Sequence, residues 1–148
     1  MGLLQKTMED IKERETLPAG QYGLSIKAVT ASIGKEKKRG MVTFYYSVPD
    51  HPDAKLIADR VFVVSTDDNA DFVQSNDERA KAITDCFKID YDEFIQFYEV
   101  AEKLQAEGDT EAKEKNTAWN GLETEAILKL GQDLNGDPVN EVQSYINR

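Results

Sequence analysis

The chain has 148 residues, of which 40% are hydrophobic and 31% are charged, and its formal net charge is −10. This length and composition fit one globular domain and exclude a largely disordered chain, and no stretch is apolar for long enough to span a membrane. A single cysteine, Cys86, and a single histidine exclude an internal disulfide and the common zinc sites. We therefore expect a cytoplasmic protein without a metal or other cofactor, in which Cys86 is a buried structural thiol.

The first predicted elements are a short amphipathic helix within residues 1–16 and a strand from Gln21 to Ala31. Apolar residues recur at helical spacing in the helix, at Leu3, Leu4, Met8 and Ile11. In the strand, apolar side chains alternate with small or polar ones, which predicts a half-buried strand.

A basic, glycine-bracketed loop follows, from Gly34 to Gly40. It places four of the 18 Lys and Arg residues in five positions: Lys35, Lys37, Lys38 and Arg39. Residues 1–64 carry 10 basic and 8 acidic residues (+2), whereas residues 65–148 carry 8 and 20 (−12), so the loop lies in the less acidic half. A mobile cationic loop is suited to contact phosphates, and the alternative is a solvated hairpin tip that keeps the protein soluble.

Two more strands follow, from Met41 to Val48 and from about Lys55 to Val64. In the second strand, Val42, Phe44, Tyr46 and Val48 share one face, and Met41, Thr43, Tyr45 and Ser47 share the other. The alternation does not decide which of these faces is the core.

The middle of the chain is predicted to be a helical insertion over residues 66–107. Asp67, Asp68 and Asp71 are expected to cap its start, and Asp90 is expected to cap its second helix. Residues 108–118 are predicted to be a mobile polar linker. Two further strands, from Gly121 to Leu130 and from Val139 to Ile146, form a terminal hairpin.

This order predicts a mainly β, α+β domain over residues 1–148. Three strands, a helical insertion and two strands are the order of a five-stranded antiparallel OB-like barrel. In that fold, the loop between the first two strands and the faces of strands two and three bind the oligonucleotide, and the basic loop is that connection. Trp119, just before the fourth strand, is expected to plug one barrel end rather than to stack on a base.

The sequence also resembles a family of short phage proteins, the OB-fold single-stranded DNA-binding proteins. The resemblance covers residues 17–64 and 121–146. It rests on the order of four features: Leu17-Pro18-Ala19-Gly20-Gln21-Tyr22, the Lys-rich loop before an aromatic strand, Ile57-Ala58-Asp59-Arg60-Val61-Phe62, and the closing run from Asn135 to Ile146 with its Asn-x-Val-x-x-Tyr-like ending. Many such proteins recruit replication partners through an acidic tail, and because this sequence closes with Tyr145-Ile146-Asn147-Arg148, we do not expect recruitment of that kind.

The resemblance implies a protein without enzymatic activity that binds single-stranded DNA with little sequence preference. It also implies a role in phage DNA replication or recombination in the cytoplasm of an infected bacterium, where replication or recombination proteins are the other expected partners. The candidate nucleic-acid-binding residues are Lys27, Lys35, Lys37, Lys38, Arg39, Tyr45, Arg60 and Phe62. Two alternatives remain: a phage structural or adaptor protein that uses the barrel for protein contacts, and an inhibitor whose acidic half mimics DNA. Homo-oligomerisation and a preference for DNA over RNA are left open.

Overall fold

The computed structural model of the protein describes residues 15–147. The predicted N-terminal helix therefore lies outside the described residues, except for its last two positions. Of these, Glu15 forms a parallel β-bridge with Ala54.

Six strands and two helices follow one another along the described chain. In order they are β1 (Gly20–Ile33), β2 (Gly40–Ser47), β3 (Ile57–Phe62), α1 (Ala70–Phe87), α2 (Tyr91–Glu107), β4 (Lys113–Lys115), β5 (Glu123–Gln132) and β6 (Pro138–Ile146). The mainly β, α+β class is confirmed, and so is a helical insertion after the third strand. The strand count is corrected, because β4 forms inside the segment that was predicted to be a linker.

The strands form one antiparallel sheet in the order β3-β2-β1-β5-β6, and β4 also pairs with β1. Strand β1 is long enough to pair with three other strands. Its first half, Gly20–Ser25, pairs with β5, its second half pairs with β2, and Thr30–Ser32 pair with β4 on the opposite edge from β2. A bulge at Lys27 changes which residues face inward, since Ile26 and Val29 are both buried.

The sheet is open, and the OB-like barrel that the sequence predicts is not closed by hydrogen bonds between its edge strands. Within residues 15–147, no ladder joins β3 to β6. The free edge of β3 is occupied by α1 instead: the Phe62 amide donates to the Asn76 side-chain oxygen at 2.7 Å, and the Asn76 amide donates to the Phe62 carbonyl at 2.8 Å. The buried Asn76 thus satisfies backbone groups that a neighbouring strand would otherwise pair with.

The core lies on the face of β2 that carries Phe44 and Tyr46. Phe44 stacks on Phe94 at 6.3 Å and on Trp119 at 6.1 Å between ring centroids, and Tyr46 stacks on Phe87 at 5.3 Å. Trp119 is buried in this aromatic cluster, which agrees with the expectation that it packs inside the domain rather than stacks on a base. These contacts decide the question that the alternation left open, because the opposite face of β2 is the outer one.

The helices cover the core side of the sheet. Helix α2 approaches β2 so closely that a Cβ atom at Gly40 would lie 2.5 Å from the Ala101 carbonyl oxygen, which requires glycine at the end of the basic loop. Cys86 is buried as predicted, and burial raises the pKa of its thiol. In the described part of the chain, neither helix is both long and apolar enough to cross a membrane.

The capping prediction was wrong for the start of α1 and correct in position for α2. Asn69, rather than the neighbouring aspartates, caps α1, because its side-chain oxygen accepts from the Asp71 amide at 2.9 Å. Asp90 occupies the N-cap position of α2 but makes no side-chain capping bond.

Candidate nucleic-acid interface

The sheet face opposite the core is the candidate site, and we call it the outer face. Cross-strand partners point to the same side of a sheet, so the register defines its members. They are Ala28, Thr30 and Ser32 of β1, Met41, Thr43 and Tyr45 of β2, Ala58, Arg60 and Phe62 of β3, and Lys113 and Lys115 of β4.

The register arranges these side chains in rows across the sheet. The central row runs Lys115, Thr30, Thr43 and Arg60, so that a cation lies at each end. Between them, Thr30 and Thr43 are only 5% and 2% exposed. The Thr30 hydroxyl is buried and has no hydrogen-bond partner among residues 15–147.

The charge of the outer face is the opposite of the charge of the helices. Three of its eleven members are Lys or Arg, and none is Asp or Glu. Residues 65–112, which contain both helices, carry 14 acidic and 4 basic residues, a net charge of −10. Since charges beyond about 8–10 Å are screened at physiological salt, the outer face presents a local positive field on an acidic protein.

Tyr45 is the best placed aromatic side chain for stacking. It is half-buried, and its cross-strand neighbours are two alanines, Ala28 and Ala58. In the described chain its ring contacts no other aromatic side chain. Small cross-strand neighbours do not cover a ring as a large side chain would, and an uncovered aromatic ring is what a stacked base requires.

The basic loop is closed by backbone hydrogen bonds and presents its lysines to solvent. The Gly34 amide donates to the Arg39 carbonyl at 2.9 Å, and Lys35, Lys37 and Lys38 between them are exposed. Lys38 adopts a left-handed conformation with φ of 50°, which is uncommon for a residue with a side chain. None of these three ammonium groups forms an ion pair within residues 15–147.

Arg39 differs from its neighbours because its guanidinium is engaged inside the protein. It donates to both carboxylate oxygens of Asp68, at 2.8 and 2.9 Å, and to the Val63 carbonyl at 2.8 Å. It also lies over the Phe72 ring, 5.1 Å from the centroid. The hydrogen bond from Arg39 is the main cause of a pKa of Asp68 far below its usual range.

The other candidate residues divide between open and packed positions. Lys27, at the bulge of β1, and Arg60 are exposed and form no ion pair in the described chain. Phe62 is half-buried and packs against Phe72 of α1, with centroids 5.9 Å apart. Its ring therefore serves the contact between β3 and α1.

Lys113 and Lys115 are the residues that sequence reasoning missed. Both are exposed, and β4 places them beside the start of the basic loop, because Lys113 pairs with Ser32, two residues before Gly34. Their alternation with Glu114 across three residues is the only signal in the sequence, and it is too short to predict a strand.

A second polar cluster, which we call the seam, joins β3 to β6 on the core side. The Tyr145 hydroxyl donates to Asp59 at 2.6 Å and lies 2.7 Å from the Tyr46 hydroxyl. Since its one proton goes to Asp59, Tyr46 donates to Tyr145. Arg79 of α1 forms an ion pair with Asp59, whose side chain is 5% exposed. Burial, followed by the charge of Asp59, raises the pKa of Tyr46, and burial also raises the pKa of Tyr145.

Comparison of the chain with protein-family models, with curated proteins and with solved structures found no match in any of the three. The described residues contain no group of three or more His, Cys, Asp or Glu side chains arranged to hold a metal ion. The geometry and charge of the outer face are therefore the features that point to a function.

Proposed function

We propose that this protein binds single-stranded DNA on its outer face with little sequence preference. The observation that carries the proposal is the charge of that face: it holds three cations and no acid, beside a loop with three more unpaired lysines, in a chain of net charge −10. Contacts from lysine to phosphate need no fixed geometry and carry no sequence information. Tyr45 supplies a surface for stacking that accepts any base.

The strand order supports an OB-like fold for this function. In the OB fold, as in the order β3-β2-β1-β5-β6, the first strand lies between the second and the fourth of the five main strands. The last strand returns to the third, and here Tyr145 of β6 reaches Asp59 of β3 at 2.6 Å. The outer faces of β2 and β3 and the loop after β1 are the surfaces that OB folds use for oligonucleotides. The resemblance to phage proteins of this type is part of the same proposal, as are a cytoplasmic location in an infected bacterium and replication or recombination partners.

Fluorescence anisotropy with labelled oligo-dT at several salt concentrations tests the proposal. We expect binding at micromolar protein or below that weakens with salt, with a slope of about −0.7 for each phosphate contact on a single strand. An oligo-U probe and a duplex of equal length measure the preference among nucleic acids. Absence of salt-sensitive binding to the single strand would refute the proposal.

The double variant Lys37→Glu with Lys38→Glu tests the loop itself. We expect it to weaken binding to all sequences by about 10-fold or more, because two phosphate contacts become repulsive. A matched control, Lys81→Glu with Lys103→Glu, makes the same change in net charge at exposed positions on α1 and α2. Equal loss in the two double variants would mean that net charge, rather than the loop, governs binding.

A second candidate function, that of an adaptor for another protein, is favoured by the hairpin between β5 and β6. Leu134 at its turn is 94% exposed and Leu130 of β5 is 56% exposed. Both leucines belong to the same hairpin, where a partner protein can bury their apolar side chains. Size-exclusion chromatography with and without oligonucleotide distinguishes the two functions, because a stable oligomer that is indifferent to DNA and is disrupted by Leu134→Ser favours the adaptor.

A further inference from the structure

Arg39 stands apart from the other cations of the basic loop because its hydrogen-bonding capacity is largely used within the protein. Three of its contacts are hydrogen bonds, two to Asp68 and one to the Val63 carbonyl. The fourth contact is with the Phe72 ring. The side chains of Arg39 and Asp68 are only 29% and 18% exposed. A phosphate contact by Arg39 would have to replace these contacts.

We infer that Arg39 and Asp68 form a clamp that positions the lysines of the loop for the nucleic acid, and that Arg39 is itself not a phosphate contact. This inference rests on the proposed function for the identity of the ligand. The clamp joins the end of the loop to the start of α1, so that Lys35, Lys37 and Lys38 project from a fixed base.

The hydrogen bonds around the clamp explain how it acts on the loop. The Arg39 carbonyl accepts from the Gly34 amide at 2.9 Å, which closes the loop at its base. The next residue, Gly40, donates its amide to the Gln105 side-chain oxygen at 2.6 Å and accepts from the Val63 amide at 2.8 Å. The residue that follows Arg39 is therefore fixed to α2 and to the segment just after β3, and Arg39 itself is tied to Gly34 at the start of the loop. Ordering the loop before binding reduces the conformational entropy that binding has to remove.

The clamp persists in acid. The pKa of the Asp68 carboxyl is lowered far below its ordinary value, chiefly by the hydrogen bond from Arg39 and next by that from the Ser65 amide. A depressed folded-state pKa means that the ion pair is kept above the ordinary value of about 3.9 and is lost only as the pH falls through the lowered value. The loop should therefore keep its arrangement throughout the neutral and mildly acidic range.

Two variants and one matched control test the inference. Arg39→Met and Asp68→Ala each remove one half of the clamp, and Lys37→Met removes the same charge as Arg39→Met from an exposed position. Binding of labelled oligo-dT is measured as a function of salt for each protein. Hydrogen exchange of the Gly34 amide, measured without DNA, reports on the closure of the loop.

We expect Arg39→Met and Asp68→Ala to weaken binding to a similar extent, about 3- to 10-fold, with the salt slope of the wild type. The double variant should be no weaker than either single one, because each removes the same interaction. Lys37→Met should instead reduce the slope by about 0.7. Both clamp variants should speed exchange of the Gly34 amide, whereas Lys37→Met should not.

Several results would overturn the inference. A reduced slope for Arg39→Met, or tighter binding by Asp68→Ala, would show that Arg39 reaches a phosphate when it is released. Unchanged exchange of Gly34 in both clamp variants would show that the loop does not depend on the clamp. If the wild type fails to bind any single strand, the proposed function fails, and the exchange measurement still decides whether the clamp orders the loop.

Discussion

The seam and the outer face use polar side chains in opposite ways. In the seam, Tyr145 is hydrogen-bonded to both Asp59 and Tyr46, and Arg79 forms an ion pair with Asp59. On the outer face, the charged groups of Arg60, Lys113 and Lys115 have no partner within residues 15–147. Polar groups that are satisfied by the protein stabilise its fold, whereas exposed cations gathered on one face are available to a ligand. The seam therefore contains residues that build the molecule, and the outer face contains residues that are free to bind a ligand.

This separation changes the meaning of the sequence resemblance. Asp59 and Tyr145, which belong to two of its segments, meet in the seam. A third residue, Asn140, pairs with the backbone of Leu17, accepting from its amide at 2.7 Å and donating to its carbonyl at 2.9 Å. These spacings therefore report how the strands are held together. They concern the packing of this chain, and support for a ligand has to come from the outer face.

The largest expected effect is on the seam. Asp59→Ala removes the acceptor for Tyr145 and the partner of Arg79, and should lower the free energy of unfolding by about 3 kcal/mol. The value is at the lower end for a buried pair because the Arg79 side chain is 46% exposed and can be rehydrated. Urea unfolding followed by circular dichroism measures the change.

The same variant also tests whether the two regions are independent. At a temperature where the protein remains folded, the affinity of Asp59→Ala for oligo-dT should stay within about twofold of the wild type, because Asp59 points to the core side. A change in stability below about 1 kcal/mol would mean that the seam is not a stabilising network.

Much of the sheet was predictable because its strands follow an alternating pattern. The ends of the five main strands agree with their predicted positions to within two residues, since burial on one face fixes the period of two. At the Lys27 bulge the inward-facing positions change from even-numbered to odd-numbered residues, as the burial of Ile26 and Val29 shows. Alternation in the sequence alone does not locate such a bulge.

The parts that were missed depend on contacts between residues far apart in sequence. Strand β4 has no apolar residue, and it exists because the long β1 offers an unpaired edge at Thr30–Ser32. The bond between Arg39 and Asp68 joins residues 29 positions apart, and a run of aspartates before a helix predicts caps equally well. Tyr45 and Arg60 were assigned to the site by alternation, whereas the contact of Phe62 with Phe72 required the helix to be placed.

The second prediction concerns Tyr45 on the outer face. Tyr45→Ala should weaken binding of single-stranded DNA by about 1–2 kcal/mol, because a stacking surface is lost, and Tyr45→Phe should retain most of the affinity. Anisotropy titrations at one salt concentration measure both. Tyr91→Ala, at an exposed tyrosine of α2, is the matched control and should leave affinity unchanged. Equal weakening by the phenylalanine variant would indicate that the hydroxyl, not the ring, contacts the DNA.

The third prediction returns to the seam through its tyrosines. Because the pKa values of Tyr46 and Tyr145 are raised on folding, both contribute stability that is complete below pH 10 and is lost as the pH rises toward the folded-state values. Together they should give a slope of up to about −2.7 kcal/mol per pH unit above pH 10. Tyr145→Phe should cost about 1 kcal/mol at neutral pH and halve that slope. Urea unfolding between pH 8 and 11 measures the loss of stability and the slope. An unchanged slope in Tyr145→Phe would mean that the pKa of Tyr145 is not raised on folding.

The smallest effects are expected at β4, where they define the border of the outer face. Lys113→Ala and Lys115→Ala should each weaken binding of single-stranded DNA by about 0.5–1 kcal/mol and reduce the salt slope by about 0.7. Glu114 lies between them and pairs with Ala31, whose side chain is buried on the core side, so Glu114 points away from the outer face. Glu114→Ala should therefore leave the slope unchanged, although it alters the net charge by the same amount. If the affinity of all three variants follows only the change in net charge, β4 contributes to the electrostatic field of the protein without contacting DNA. The contact surface then ends at β1. A reduced slope confined to the two lysine variants would instead extend that surface across four strands, a distance of about 14 Å.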